Sequence, residues 1–256
     1  MPTTILVKDL LWRATVLLGE SAQQWQRFPE NELVRWLIDG QTAIVKFMPS
    51  AGSRVDSIKL VAGTRQSIDT VLVANCVPGD GITLTAPLYG IQLLAMTRNM
   101  GVDGLTVGQS VNVVDRQALG NVDPSWHTDT GSSIQEYVTD ERLPLIFYAH
   151  PGVIAPMWVE IAWIAMPKVI PNTGAVGSEL YSIGGASTQT ITIHDKHVDD
   201  LVNYILGRAQ LKDSKFAEAT KSNNYMQMFL ASLKMQIDAL TGSNPNRQTL
   251  PGETRP

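Results

Sequence analysis

Apolar residues recur every three or four positions at both ends of this chain and every second position through its middle. A chain patterned this way builds helices at its termini around a β-rich centre. Residues 5 to 19 place Leu6, Val7, Leu10, Leu11, Ala14, Leu17 and Leu18 on one amphipathic stripe, and Gly19 supplies a stop. After Phe28 and Pro29, the run Glu30, Asn31, Glu32 sets carboxylates in a first helical turn, where they complement the helix dipole. A second helix is therefore expected over 30–48, with Leu33, Trp36, Leu37, Gly40, Ile44, Phe47 and Met48 on one face and Pro49 limiting it. Two helices with a short connection imply an antiparallel pair.

From about 56 to 193 short β-rich runs (SIKLVAG, QSIDTVLVAN, GIQLLAMTRNM, SVNVVDR, IQEYVTD, LIFYAH, MWVEIAWIAM, TQTITIHD) are separated by Gly, Pro, Asn and Asp clusters. Such spacing predicts an antiparallel sandwich or barrel. In MWVEIAWIAM, Met157, Val159, Ile161, Trp163 and Ala165 fall on one face and Trp158, Glu160, Ala162 and Ile164 on the other, so both faces are mostly apolar and the strand is expected to be central or interfacial. Asp115 to Trp126 breaks the strand pattern and reads as a short helix followed by a turn at Asp123-Pro124.

Helical spacing returns at Val198, Leu201, Val202, Ile205, Leu206 and Ala209, with Asp195 as the expected N-cap. A fourth helix is expected over 215–240, its seam formed by Phe216, Ala219, Asn223, Met226, Leu230, Leu233, Ile237 and Leu240, with Asn223 the one polar member. The last stretch, GSNPNRQTLPGETRP, has almost no apolar content and three prolines, and is expected to be a flexible arm that orders on a neighbour. The fold class is thus α+β. A helical bundle from both termini (1–55 and 194–240) carries an inserted antiparallel β-sandwich or barrel-like domain (56–193), followed by a C-terminal arm (241–256).

Composition narrows the function. With 44% hydrophobic and 17% charged residues, the 256-residue chain can bury a sizeable core. Runs such as Met157 to Met166 are too short to span a bilayer, and the N-terminus lacks the basic start and cleavage site of a signal peptide, so neither membrane insertion nor secretion is expected. A single cysteine, Cys76, excludes an internal disulfide and a cysteine metal cage and suits a reducing compartment. A net charge of −4 argues against a dedicated nucleic-acid binder and suits a surface that DNA slides past.

No catalytic, cofactor or metal site is expected. His194 and His197, with Asp195, Asp199 and Asp200, have metal-like spacing, but they straddle a strand-to-helix junction where acids cap and decorate a first turn. Ser125, His127 and Asp129 are too close in sequence to converge as nucleophile, base and orienter. Asp199-Asp200 and Asp140-Glu141 read as helix-start or turn residues. Glycines at Gly79, Gly81, Gly101, Gly104, Gly108, Gly184 and Gly185 fit turns, and no phosphate-cradling loop accompanies them.

The strings VKDLLWRATVLLGE, ENELVRWLIDGQTAIVKFMPSAGSRVDSIKLVAGTRQSI, TRNMG, VVDRQALGNVDPSWH and WVEIAWIAMPKVI resemble a family of tailed-phage head-to-tail adaptor (connector) proteins. The resemblance runs to about residue 240 and is most specific at Glu32 to Ala51. It implies a structural, non-enzymatic virion protein, similar in role to the adaptors of short-tailed phages. Such a protein is made in the host bacterial cytoplasm and forms a dodecameric ring between the portal protein and the tail nozzle or tube, through which duplex DNA passes. It also implies portal contacts at the end of the fourth helix and along the arm, at Leu240, Asn244, Arg247, Leu250 and Arg255, and tail-facing loops within 56–193. Trp12, Trp36, Met226, Phe229 and Leu233 are the expected subunit-interface or bundle-packing residues. The alternative is a glycan- or receptor-binding tail accessory protein, which predicts Trp126 or Trp158 exposed on a sugar-stacking surface.

Overall fold

The computed structural model describes residues 5–19, 27–81, 84, 86–168, 170, 189–212 and 219–243. In chain order the elements are α1 (Val7–Leu17), α2 (Glu30–Phe47), β1 (Ser53–Leu60), β2 (Gly63–Ser67), β3 (Thr70–Val71), β4 (Cys76–Pro78), β5 (Leu88–Met100), β6 (Val107–Ser110) and β7 (Asn112–Val113). There follow α3 (Arg116–Val122), β8 (Thr130–Gly131), β9 (Glu136–Thr139), β10 (Ile146–Val153), β11 (Met157–Ala165), α4 (Val198–Leu211) and α5 (Ala219–Ser243). The class is α+β, as the spacing predicts. The described residues fall into two compact units: a β-rich one from 49–168 and 192–194, and a helical one from 5–48, 170, 189–191 and 195–243.

In the β-rich unit one sheet has strand order β3-β5-β11-β1-β4, with β6 also on β5, and a second has order β2-β10-β9-β7, with β8 on β10. All pairings are antiparallel except the two-residue pairs β8 with β10 and β7 with β9. Both sheets contribute to one apolar core, which includes Ile58, Met96, Val159, Ile161 and Trp163 from the first and Tyr137, Phe147 and Ala149 from the second. The central position of β11 follows from its two apolar faces: Val159, Ile161 and Trp163 are buried on one side and Ile164 on the other. Its ladder with β1 runs unbroken from Ser53 opposite Ile164 to Leu60 opposite Met157, whereas the ladder with β5 shifts register three times, which bends the strand.

Two side-chain amides replace missing ladder bonds. Asn99 on β5 accepts from Ile134 N–H at 2.9 Å and donates to Ile134 C=O at 2.7 Å, tying the segment before β9 to the first sheet. At the β1–β2 turn, Gln66 accepts from Val61 N–H at 3.1 Å and donates to the carbonyls of Val61 and Gly63 at 2.8 Å. Both amides are buried and replace hydrogen bonds that the backbone would otherwise forfeit. The break at Asp115 to Trp126 is the short helix α3, whose N-cap Asp115 accepts from Gln117 N–H at 2.8 Å and Ala118 N–H at 3.1 Å.

In the helical unit α4 packs against α1, α2 and α5. Gly40 on α2 permits close approach, since a Cβ there would lie 3.0 Å from Tyr204 Cδ1. Leu10, Leu11, Leu33, Leu37, Ile44, Leu201, Ile205 and Phe229 are buried.

Three expectations change. The seam of α5 is rotated by about a residue in its first half from the expected one: Ser222 and Phe229 are buried, while Asn223 and Leu230 are exposed. The cause is a close crossing with α4, where Ser222 Oγ donates to Gly207 C=O at 2.9 Å and a Cβ on Gly207 would meet Met226 Sδ at 2.8 Å. A small residue faces a small residue there, so the polar Ser222 enters the seam and Asn223 does not. Asp195 does not cap α4: a 3-10 turn, Asp195–His197, precedes the helix, and its carboxylate accepts from Ile5 N–H at 3.4 Å. Within TQTITIHD, the described residues 189–195 form no strand. Thr190 makes a single antiparallel bridge to Leu6, flanked by Val7 N–H donating to Gln189 C=O at 2.8 Å and Ile191 N–H donating to Ile5 C=O at 3.1 Å.

Candidate functional site

The groups with metal-like or catalytic spacing have structural partners of their own. His197 is fully buried and its Nδ1 lies 3.2 Å from Asp200 Oδ2, which also accepts from Gln236 Nε2 at 2.9 Å. Burial works to raise the Asp200 carboxyl, but hydrogen bonds from His197, Ser232 and Gln236 outweigh it and hold the group below the usual carboxylate range. The cluster joins the start of α4 to α5 inside the bundle. Asp199 is exposed and pairs with Arg13 on α1 at 2.7 Å.

Ser125, His127 and Asp129 do not form a triad. Ser125 Oγ donates to Asp123 Oδ1 at 2.8 Å, and the His127 ring stacks on Trp126 with centroids 3.7 Å apart. Asp129 points instead to His150, from β10, at 3.9 Å. Asp140 accepts from Arg142 N–H at 2.9 Å, closing a turn. Cys76 is buried, and burial, reinforced by the Asp56 carboxylate, pushes its thiol up to about 12, so it is a poor nucleophile. A shallow open groove on α2 and α4, lined by Asp39, Thr42, Ala43, Lys46, Phe47 and Tyr204, brings no nucleophile and base together. Trp126 is buried and Trp158 half-buried, with Lys59 Nζ 5.9 Å from the Trp158 ring centroid, so neither is the exposed ring that the sugar-stacking reading predicts.

What the helical unit does present is apolar surface. On α1, Trp12 is 41% exposed and Val16, one turn on, is exposed beside it. On α5, Met228 and Met235, two turns apart on one face, are both exposed, Met235 to 72%. Leu240 continues the Phe229 and Leu233 seam and is 45% exposed. The other expected interface residues lie within the unit. Phe229 packs edge-on to Tyr204 at 5.3 Å, Leu233 is buried, Met226 is half-buried against Gly207, and half-buried Trp36 meets Phe28 edge-on at 6.1 Å. Asn244, Arg247, Leu250 and Arg255 lie outside the described residues. Sequence periodicity could place Phe229 and Met235 on the same helix, but only the Gly207 crossing decides which of them turns inward.

Among the described residues no helix is long and apolar enough to cross a membrane. No curated protein matches the chain. The model of the family described as SU10 adaptor protein matches residues 6–249. The chain belongs to that family, a family of phage head-to-tail adaptors.

Proposed function

From the chain's place in the SU10 adaptor protein family, we propose that it is a structural virion protein that assembles into a ring of twelve copies between portal and tail nozzle or tube. The ring continues the DNA channel and performs no chemistry of its own. The reading divides the chain into a bundle (1–55 and 194–240), an inserted tail-side domain (56–193) and a portal-side arm (241–256).

The observation that carries the assembly reading is the pair of exposed apolar helix faces, Trp12 with Val16 on α1 and Met228 with Met235 on α5. A ring is built by a heterologous contact, in which one patch meets a different patch on the next copy. Two distinct apolar faces on one helical unit are what such a contact uses. Leu240 opens the α5 seam toward the arm, where Leu250, Arg247 and Arg255 follow, and an arm tethered there raises the effective concentration at the portal.

Electron microscopy of the protein with and without its cognate portal tests this. The expected result is a twelve-fold ring on the portal. A soluble monomer indifferent to the portal would overturn the reading. Deleting 241–256 should leave a folded protein with weakened portal docking, and unchanged affinity would remove the arm from the account.

A further inference from the structure

Asp123 and Asp129, six residues apart, converge with His150 from a different strand of the β-rich unit. Asp123 ends α3, Asp129 directly precedes β8, and His150 lies on β10. Backbone bonds fix the approach: Gly152 N–H donates to Asp129 C=O at 2.8 Å, and β8 pairs with β10 just beyond. The Nε2 of His150 is 3.9 Å from Asp123 Oδ2 and 3.9 Å from Asp129 Oδ2. The three donor atoms lie within 4.8 Å of one another.

Those separations are too long for direct hydrogen bonds, which close at roughly 2.7–3.2 Å. They are close to what two bonds of about 2.1 Å span across a shared cation, and a contraction of roughly half an ångström reaches tetrahedral geometry. The second oxygen of Asp123 is already occupied, accepting from Ser125 N–H at 2.9 Å and Ser125 Oγ at 2.8 Å, which orients the carboxylate and leaves Oδ2 toward His150. On the far side of the ring, Nδ1 is buried, makes no hydrogen bond among the described residues, and has Glu136 Oε2 at 3.5 Å. A metal-bound imidazole donates its other N–H to a carboxylate, and Glu136 stands where that partner belongs. Charge points the same way. Three carboxylates surround one imidazole, and among the described residues His150 is the sole cationic partner of any of them.

We propose that Asp123, Asp129 and His150 bind a divalent ion of the zinc class, with Glu136 orienting the histidine. Mixed imidazole and carboxylate donors suit zinc better than calcium, which prefers oxygen alone. The ion would staple residues 123–131 to β10 and so fix the excursion that carries α3. The site does not depend on the adaptor reading.

Isothermal titration of the EDTA-treated full-length protein with zinc chloride, with calcium chloride as control, tests this. One zinc per chain is expected, with calcium at least ten-fold weaker. Asp129→Asn, on a half-exposed carboxylate, keeps the fold by circular dichroism and loses at least ten-fold in zinc affinity, as does His150→Gln. Glu136→Gln loses roughly ten-fold through orientation alone. Zinc raises Tm of the wild type and not of Asp129→Asn. Absence of zinc binding, or wild-type affinity in both Asp129→Asn and His150→Gln, overturns the proposal, the latter because the ion is then held elsewhere.

Discussion

The indole N–H of Trp163 on β11 donates to Asp56 Oδ2 on β1 at 2.9 Å, inside the core of the β-rich unit. The same carboxylate accepts from Arg54 Nε at 2.9 Å and Nη2 at 3.2 Å and from Gly79 N–H at 3.1 Å, and Asp56 is 1% exposed. Its removal would leave the buried indole without its acceptor and the guanidinium with only Asp80, at 3.4 Å. Asp56→Ala should therefore cost about 3–5 kcal/mol in urea unfolding, and Trp163→Phe, which keeps the ion pair, about 1–2 kcal/mol. Equal losses in the two variants would show that packing and not the carboxylate holds this corner.

The Asn99 amide serves both backbone groups of Ile134. Asn99→Leu fills a similar volume but leaves a buried N–H and a buried C=O unsatisfied, each worth roughly 1–3 kcal/mol. The expected loss is about 3 kcal/mol by chemical denaturation, with faster hydrogen exchange at Ile134. Unchanged exchange there would mean that the amide is not what protects it.

Two glycines should respond oppositely to one methyl group. A Cβ on Gly90 would lie 2.3 Å from Ile68 C=O, a backbone atom that cannot move aside cheaply, so Gly90→Ala is expected to lose about 1–3 kcal/mol. Gly120, inside α3, has nothing within 4 Å, so Gly120→Ala should be neutral or gain about 0.5–1 kcal/mol. Thermal melts of both variants check the contrast.

The contrast also shows what periodicity can and cannot encode. The extents of α1 and α2 were legible because dipole preference and apolar spacing are local, whereas the start of α4 was not, since a 3-10 turn stands where Asp195 was expected to cap it. The central place of β11 was legible because a strand apolar on both faces has nowhere else to go. The rotation of α5 was not, since it depends on Gly207 meeting Ser222 between two helices, and single-helix spacing treats Ser222 as surface. The convergence of Asp123 with His150 was equally invisible: the two are joined through the β8 and β10 pairing, and spacing alone makes Asp123 a turn residue and sets Asp129 beside Ser125 and His127.

Acid should weaken the helical bundle through Asp200. Its folded carboxyl is held below the unfolded value of about 3.9, so its contribution is fully present above about pH 4 and is lost as pH falls through the lower folded value. Wild type should exceed Asp200→Asn in stability at pH 6, and the gap should narrow in the window below about pH 4. A gap independent of pH in that window would assign the effect to packing and not to charge.

Exposed and buried residues of α5 separate folding from assembly. Phe229 is 1% exposed and packs on Tyr204, so Phe229→Ala should lose about 3–5 kcal/mol of monomer stability. Met235 is exposed, and Met235→Lys should change that stability by no more than about 0.5 kcal/mol. If the α5 face seats a neighbouring copy, the buried lysine charge would have no partner there, and the ring expected on the portal should fail to close while circular dichroism and Tm stay at wild-type values. Trp12→Lys should do the same from the α1 side. Complete rings from both lysine variants would place the subunit contact on other surfaces, and loss of rings from only one would mean that the two faces do not meet each other.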